Sequence, residues 1–187
     1  MGFNKYWYPT IAGIVALVFV IASNSNNVLL AKNNSKFSSN EAEAAYKEYA
    51  EKKLDETFSI ITSDISDSFN INESDYKIFR ITEFKRENTN FSTDEYAKFR
   101  LALSQNVFNG KDKKIQKGDF MPAIYLKKDG SQILVAFKSK EGKNYLYVFN
   151  KIENDWRVDE IKEKNGKKVE KVKLLKPEEF EAKNFSK

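Results

Sequence analysis

The spacing of apolar residues in the first half of the folded chain predicts a long helix. After Ser38, apolar residues recur at steps of three to five positions, the spacing of one face of an α-helix. The sequence SSNE places Glu41 three residues after Ser38, in the register of a capping box. We therefore predict a helix that begins near Ser38 and packs one stripe on a core, namely Tyr46, Tyr49, Leu54, Phe58, Ile61, Ile65 and Phe69.

A second helix is predicted from FSTDEYAKFRLALSQNVFNG. Ser92 and Glu95 stand in capping-box register, and Gly110 occupies the position of a helix stop. The residues that share one face of this helix are Tyr96, Phe99, Leu103 and Val107. Their spacing indicates a structural role in the core.

The remaining pattern is that of β-strands. The segment from Asp75 to Glu87, between the two helices, is rich in Ile, Phe, Tyr and Thr and predicts one strand. After Ala123, five short segments separated by turn residues predict a meander: AIYLKK, QILVAFKS, NYLYVFNKI, DWRVDEIKE and KKVEKVKLL. QILVAFKS and NYLYVFNKI are apolar on both faces and should be central, whereas the charged last strands should be edges.

The element order predicts an α+β domain. Two helices should pack on a curved antiparallel sheet, made of a meander of four to five strands plus the earlier strand. The domain should cover residues 40–176, after a polar linker at residues 24–39. Residues 177–187 should form a C-terminal tail, in which PEEFEAKNF makes one helical turn or frays.

The first 23 residues predict a membrane anchor or an uncleaved signal. Seventeen uncharged residues from Tyr6 to Ala22 reach the lower limit for a membrane-spanning helix. An anchor explains the aromatic residues Tyr6, Trp7 and Tyr8, which belong at the membrane–water interface. A cleaved signal peptide is the alternative, since Val20-x-Ala22 offers small residues to signal peptidase. We expect a single-pass protein with its N-terminus in the cytoplasm and its domain outside, or otherwise a secreted domain.

The composition excludes several classes of catalytic and metal-binding site. The chain has no Cys and no His, which excludes thiolate and Ser-His catalysis, disulfides, and zinc sites built on sulfur or imidazole. An exported domain without cysteine points to a bacterial envelope. The net charge of +5 is unevenly distributed: residues 41–67 hold three lysines against eight acids, and residues 111–143 hold nine lysines against four acids.

Candidate chemistry is sparse. The carboxylates of Asp155, Asp159 and Glu160 surround Trp156, and such groups could serve as acid and base, but exposed charges on a turn and an edge strand are the stronger interpretation. We therefore expect no enzyme, no catalytic or metal-binding residue and no cofactor. A lysine cluster is a candidate contact for anionic lipid or polymer, and less so for nucleic acid: Lys111, Lys113, Lys114 and Lys117.

Four aromatic side chains are assigned to a pocket or to the core, and the sequence leaves that choice open. They are Tyr145, Tyr147, Phe149 and Trp156. Sheets of this kind curl around a cavity that aromatic residues can either line or fill.

The element order and the terminal DWRVDEI strand resemble the cystatin-like and nuclear-transport-factor-like α+β families. The resemblance covers about residues 40–175 and includes no catalytic motif. It implies a single-pass or lipid-anchored extracytoplasmic domain of a Gram-positive bacterium. The expected function is binding to another envelope protein. The alternatives are a subunit of a conjugation or secretion assembly, and a secreted binder of a small molecule or polymer.

Overall fold

The computed structural model describes residues 37–111, 113–153 and 155–185. They combine three helices with one five-stranded antiparallel sheet, so the predicted α+β class is confirmed. The elements in chain order are helix α1 (Asn40–Phe69), strand β1 (Tyr76–Arg80), helix α2 (Thr93–Leu103), strands β2 (Ala123–Lys127), β3 (Gln132–Lys138), β4 (Lys143–Ile152) and β5 (Asp155–Asn165), and helix α3 (Pro177–Phe185).

The predicted anchor, with Tyr6, Trp7 and Tyr8, lies outside the described residues. Among the helices inside the described ranges, none has both the length and the apolar character needed to cross a bilayer. The membrane assignment therefore stays a prediction from the sequence.

Both long helices begin at a serine cap. The cap of α1 is Ser39, one residue later than predicted, and its hydroxyl accepts the N–H of Ala42 at 3.1 Å. At α2 the predicted capping box is confirmed: Ser92 Oγ accepts the N–H of Glu95, and Glu95 accepts the N–H of Ser92 at 2.8 Å. After Leu103 the chain makes one wider π-helical turn over residues 104–108 before it leaves the helix.

The sheet has the strand order β1-β2-β3-β4-β5, and every neighbouring pair is antiparallel. The meander therefore contains four strands, β2 to β5, and β1 extends the sheet by pairing with β2. β3 and β4 are central, as their two apolar faces predicted, and the charged β5 is an edge. The strand predicted to continue to Glu87 ends at Arg80, because the chain turns there and Phe84 donates its N–H to the Arg80 carbonyl at 3.1 Å.

The sheet is covered on both faces, which explains why its central strands are apolar on both sides. On one face, Ile61 and Ile65 of α1 pack on a cluster that consists of Ala123, Tyr125, Leu134, Ala136, Leu146 and Val148. On the other face, Phe99 and Leu103 of α2 join Phe84 over a larger cluster, which includes Ile124, Leu126, Ile133, Val135, Phe137, Tyr147, Phe149 and Trp156. The sheet is thus the central layer of three.

The C-terminal region differs from its prediction in two ways. KKVEKVKLL forms no strand; residues 167–176, here named the C-terminal strap, run without regular secondary structure along α1. PEEFEAKNF forms the nine-residue helix α3, which is stabilised because Phe180 is buried against Tyr46 and Tyr49, with ring centroids 5.3 and 5.1 Å away. A tertiary contact therefore orders a segment whose local sequence is marginal.

Candidate functional site

The aromatic residues that the sequence assigns to a pocket or to the core lie in or against the core. Tyr147 and Phe149 are fully buried, and Trp156 is 5% exposed. Phe99 of α2 packs edge-on against both Phe149 and Trp156, with centroid distances of 5.6 Å in each case. Tyr145 is half-buried and stacks on Phe137 at 5.0 Å. These side chains fill the space between the sheet and α2.

The three carboxylates near Trp156 do not converge. Each is exposed and faces a separate partner. Asp155 lies 3.5 Å from Lys98, Glu160 lies 2.8 Å from Lys162, and Asp159 accepts a hydrogen bond from Asn150 at 3.1 Å. Across the described ranges, no group of three acidic, His or Cys side chains is arranged to hold a metal ion.

The predicted lysine cluster lies on a loop between α2 and β2. Lys111, Lys113, Lys114 and Lys117 are all exposed, and none forms an ion pair with another described residue. The loop is anchored from below: the backbone N–H of Lys114 donates to the Tyr147 hydroxyl at 3.0 Å. Buried Asp119 accepts the N–H groups of Gln116 at 2.8 Å and Lys140 at 3.1 Å. These lysines therefore extend from an ordered base.

A buried ion pair links α1 to the sheet. Lys138 at the end of β3 is fully buried, and its Nζ lies 2.6 Å from Oδ2 of Asp64, whose side chain is 8% exposed. Asn144 of β4 donates to the same oxygen at 2.7 Å and to Ser68 Oγ at 2.9 Å. A charge pair this deep is stable only when further hydrogen bonds replace the lost water.

The C-terminal strap supplies those further bonds. The Lys167 carbonyl accepts from Lys138 Nζ at 2.9 Å, and the Lys167 N–H donates to the Asp64 carboxylate at 3.2 Å. Burial raises the pKa of Asp64, but the hydrogen bonds from Lys138, Asn144 and the Lys167 backbone outweigh it and lower the pKa overall. The Lys138 ammonium and the Asp64 carboxylate both find their ionic and hydrogen-bond partners within the protein, so we assign this network a structural role.

A groove opens at the end of the sheet, between the loop at residues 88–91 and the β2–β3 turn. It has a volume of about 140 Å³. Its polar lining is dominated by four lysines and two acids: Lys77, Lys127, Lys128, Lys151, Glu95 and Asp129. Phe91 and Leu126 contribute apolar surface to it. The lining therefore carries more basic than acidic side chains.

The positive charge of the groove is only partly neutralised. Glu95 forms an ion pair and hydrogen bond with Lys151, and Asp129 lies 3.4 Å from Lys127. The bond from Lys151, together with the Ser92 N–H, lowers the pKa of Glu95 to about 2, so this carboxylate stays charged at neutral pH. Lys77 and Lys128 form no ion pair with any described residue. The groove can therefore receive an anionic group.

Ordered backbone holds both unpaired lysines in place. Lys77 lies on β1 opposite Leu126 of β2. The Lys128 N–H donates to the Asp75 carbonyl at 3.0 Å, which closes the end of the β1–β2 ladder. Gly130, with a φ of 74°, then allows the tight β2–β3 turn above Phe91. The sequence does not indicate this groove, because Lys77, the Lys127–Lys128 pair and Lys151 come from three separate segments and no spacing links these segments.

Comparisons with known proteins do not assign this chain to a family. No protein family, curated protein or solved structure matched the chain. The resemblance to cystatin-like and nuclear-transport-factor-like domains therefore stays a prediction.

Proposed function

We propose that this chain is a membrane-tethered extracytoplasmic domain that binds another envelope protein, and that the lysine-lined groove is the contact site. The observation that carries the proposal is the pair of unpaired cations, Lys77 and Lys128, in a concave surface whose floor includes the buried side chains of Phe91 and Leu126. Such a surface suits an acidic segment of a partner.

The tether is supported by the apolar run from Tyr6 to Ala22 and by the polar linker that follows it. A tethered domain needs only modest affinity, because the membrane confines both partners and raises their effective concentration. A subunit of a conjugation or secretion assembly would have the same layout and is a narrower form of this proposal.

The test is site-specific photocrosslinking of the full-length chain in cells. A photoreactive residue at Asn90, exposed in the groove, should give one discrete adduct in the membrane fraction. The same residue at Ser63, exposed on α1, should not give that adduct. Intact-mass measurement of the membrane and medium fractions shows whether the N-terminal run is retained.

Charge reversal tests whether the groove lysines are required for the crosslinked adduct. Lys77→Glu with Lys128→Glu should abolish it, because the acidic segment would then meet like charges. Lys52→Glu with Lys113→Glu makes the same charge change outside the groove and should leave it intact. An adduct that survives reversal in the groove, or equal labelling from Ser63, would disprove the groove as the contact. A chain found only in the medium would disprove the tether.

A further inference from the structure

The C-terminal strap is the most basic exposed segment of the described chain. Its ten residues contain a single acid, Glu170, and five lysines: Lys167, Lys168, Lys171, Lys173 and Lys176. All five lysines are exposed, and none pairs with a carboxylate among the described residues. Other unpaired lysines occur in the α2–β2 loop and in the groove, but the strap holds five of them in ten consecutive residues.

The strap is fixed at both ends. At its start, the Lys167 backbone is bound to the buried pair of Asp64 and Lys138. At its end, the Leu175 carbonyl accepts from the Tyr46 hydroxyl at 2.9 Å, and the Leu175 N–H donates to the Tyr49 hydroxyl at 3.4 Å. Residues 46 and 64 of α1 are about 27 Å apart. Tyr49, which also binds Leu175, lies about 22 Å from residue 64 along the helix. Eight strap residues reach at most about 26–29 Å, so the strap is largely extended.

The extended strap separates its apolar side chains from its lysines. Val169 packs against the cluster under α1, and Val172, Leu174 and Leu175 are half-buried. The lysine side chains extend to solvent between them. The result is a row of cations on a backbone that is already ordered, so binding would cost little conformational entropy.

The end of the strap lies where the chain enters the domain. Phe37 packs on Tyr46 with a centroid distance of 5.2 Å, and the Ser38 N–H donates to Glu181 of α3 at 3.0 Å. The N-terminal end of α1, the end of the strap and α3 thus meet at one end of the molecule. The residues that enter there follow the predicted anchor at residues 1–23.

We propose that the C-terminal strap docks this end of the domain on a bilayer surface that contains anionic phospholipid. The reason is charge complementarity: lysines within a Debye length of an anionic surface are attracted to it, and their contributions accumulate along a row. A lipid partner is favoured over a distant polymer or protein because the strap ends beside the entry point of the predicted anchor. This inference rests on the membrane placement proposed above.

The experiment measures energy transfer from the strap to labelled lipid headgroups. Because the chain has no cysteine, Glu170→Cys provides one labelling site in the full-length protein. The labelled protein is mixed with vesicles of phosphatidylcholine alone or of phosphatidylcholine with phosphatidylglycerol. We expect stronger transfer with the anionic vesicles than with the neutral ones, and a marked decrease of that difference at high salt.

Two matched triple variants locate the contact. Lys168→Gln, Lys171→Gln and Lys173→Gln should weaken docking on the order of a hundredfold. Lys111→Gln, Lys113→Gln and Lys117→Gln removes the same charge from the α2–β2 loop and should change docking little. Equal transfer from neutral vesicles, an unaffected strap variant, or a loss confined to the loop variant would each overturn the proposal.

Co-sedimentation with the vesicles separates this proposal from the proposed function. A chain that is retained by vesicles and gives the Asn90 adduct in cells, yet shows no transfer from Glu170→Cys, disproves the strap contact alone. A chain that neutral vesicles do not retain, but that docks on anionic vesicles, supports the strap contact while disproving the tether.

Discussion

Two regions of this protein use lysine in opposite ways. At the junction of α1, β3 and the strap, Lys138 is fully buried, and its ammonium group contacts Asp64, the Lys167 carbonyl and, at 3.4 Å, the Gly142 carbonyl. In the groove, Lys77 and Lys128 are held by ordered backbone but pair with no described acid. The first arrangement is complete within the chain, and the second offers charge to a partner.

The difference follows from the cost of desolvation. A buried charge that lacks a partner costs several kcal/mol, so a stable fold must satisfy it internally. An exposed charge keeps its water and can stay unpaired at little cost. Unpaired charge in an ordered, concave surface is therefore the better indication of binding, whereas the strongest ion pair indicates structure.

The largest expected effect comes from removing the acid of the buried pair. Asp64→Ala leaves Lys138 charged and buried without its counter-ion, and should reduce the free energy of unfolding by about 3–5 kcal/mol. Chemical denaturation of the full-length chain measures this change. Asp67→Ala, an exposed acid one turn later, should change stability by less than about 0.5 kcal/mol. Equal effects of the two substitutions would refute the structural role of the pair.

A smaller effect is expected at Gly166, which packs directly against the buried network. A Cβ at this position would overlap the side chains of Asn144, Asp64 and Lys138. Gly166→Ala should therefore cost about 1–3 kcal/mol by overpacking. In the Asp64→Ala background the methyl group gains room, so the two changes should be less than additive in a denaturation-based double-mutant cycle. Strict additivity would show that Gly166 does not contact the network.

Local sequence determines much of this fold. The Ser92 and Glu95 capping box, the helical face with Phe99 and Leu103, and the central β3 and β4 follow from spacing and side-chain type alone. The strap and α3 do not. The strap has strand-like composition, but Asp64 and Tyr46 bind its backbone and hold it along α1. Such contacts join residues more than 100 positions apart, which no local pattern encodes.

The candidate sites were less predictable than the fold. Lys138 is the last residue of β3, and its partner Asp64 lies 74 residues earlier, among the acids of α1. The sequence indicates the α2–β2 loop lysines because four of them lie within seven residues, whereas the groove lysines come from three segments that lie far apart in the sequence. Which lysines are neighbours in the sequence therefore does not predict which lysines lie together in the fold.

The ion pair beside the groove should shape the acid stability of the domain. Glu95 has its pKa lowered from 4.5 to about 2, so its contribution to stability is fully present above pH 4.5 and is lost as the pH falls toward 2. Glu95→Gln can keep the capping hydrogen bond but not the charge, and should flatten the loss of stability over that range. Denaturation at a series of pH values measures the slope. Glu48→Gln, an exposed acid without a described ion pair, should leave the slope unchanged, and an equally steep slope in Glu95→Gln would contradict the assignment.

The smallest effect on stability is expected in the groove. There, unlike at the buried Lys138 pair, substitution should affect binding and not stability. Lys77→Gln with Lys128→Gln removes two charges that stabilise nothing within the described chain, so the free energy of unfolding should change by less than about 0.5 kcal/mol. The same double variant should lose most of the Asn90 adduct, because the anionic partner loses both of its unpaired cations. Denaturation and crosslinking of the same preparation measure both quantities. A destabilised variant would show that these lysines are structural charges, like Lys138. A stable variant with an undiminished adduct would show that they take no part in binding.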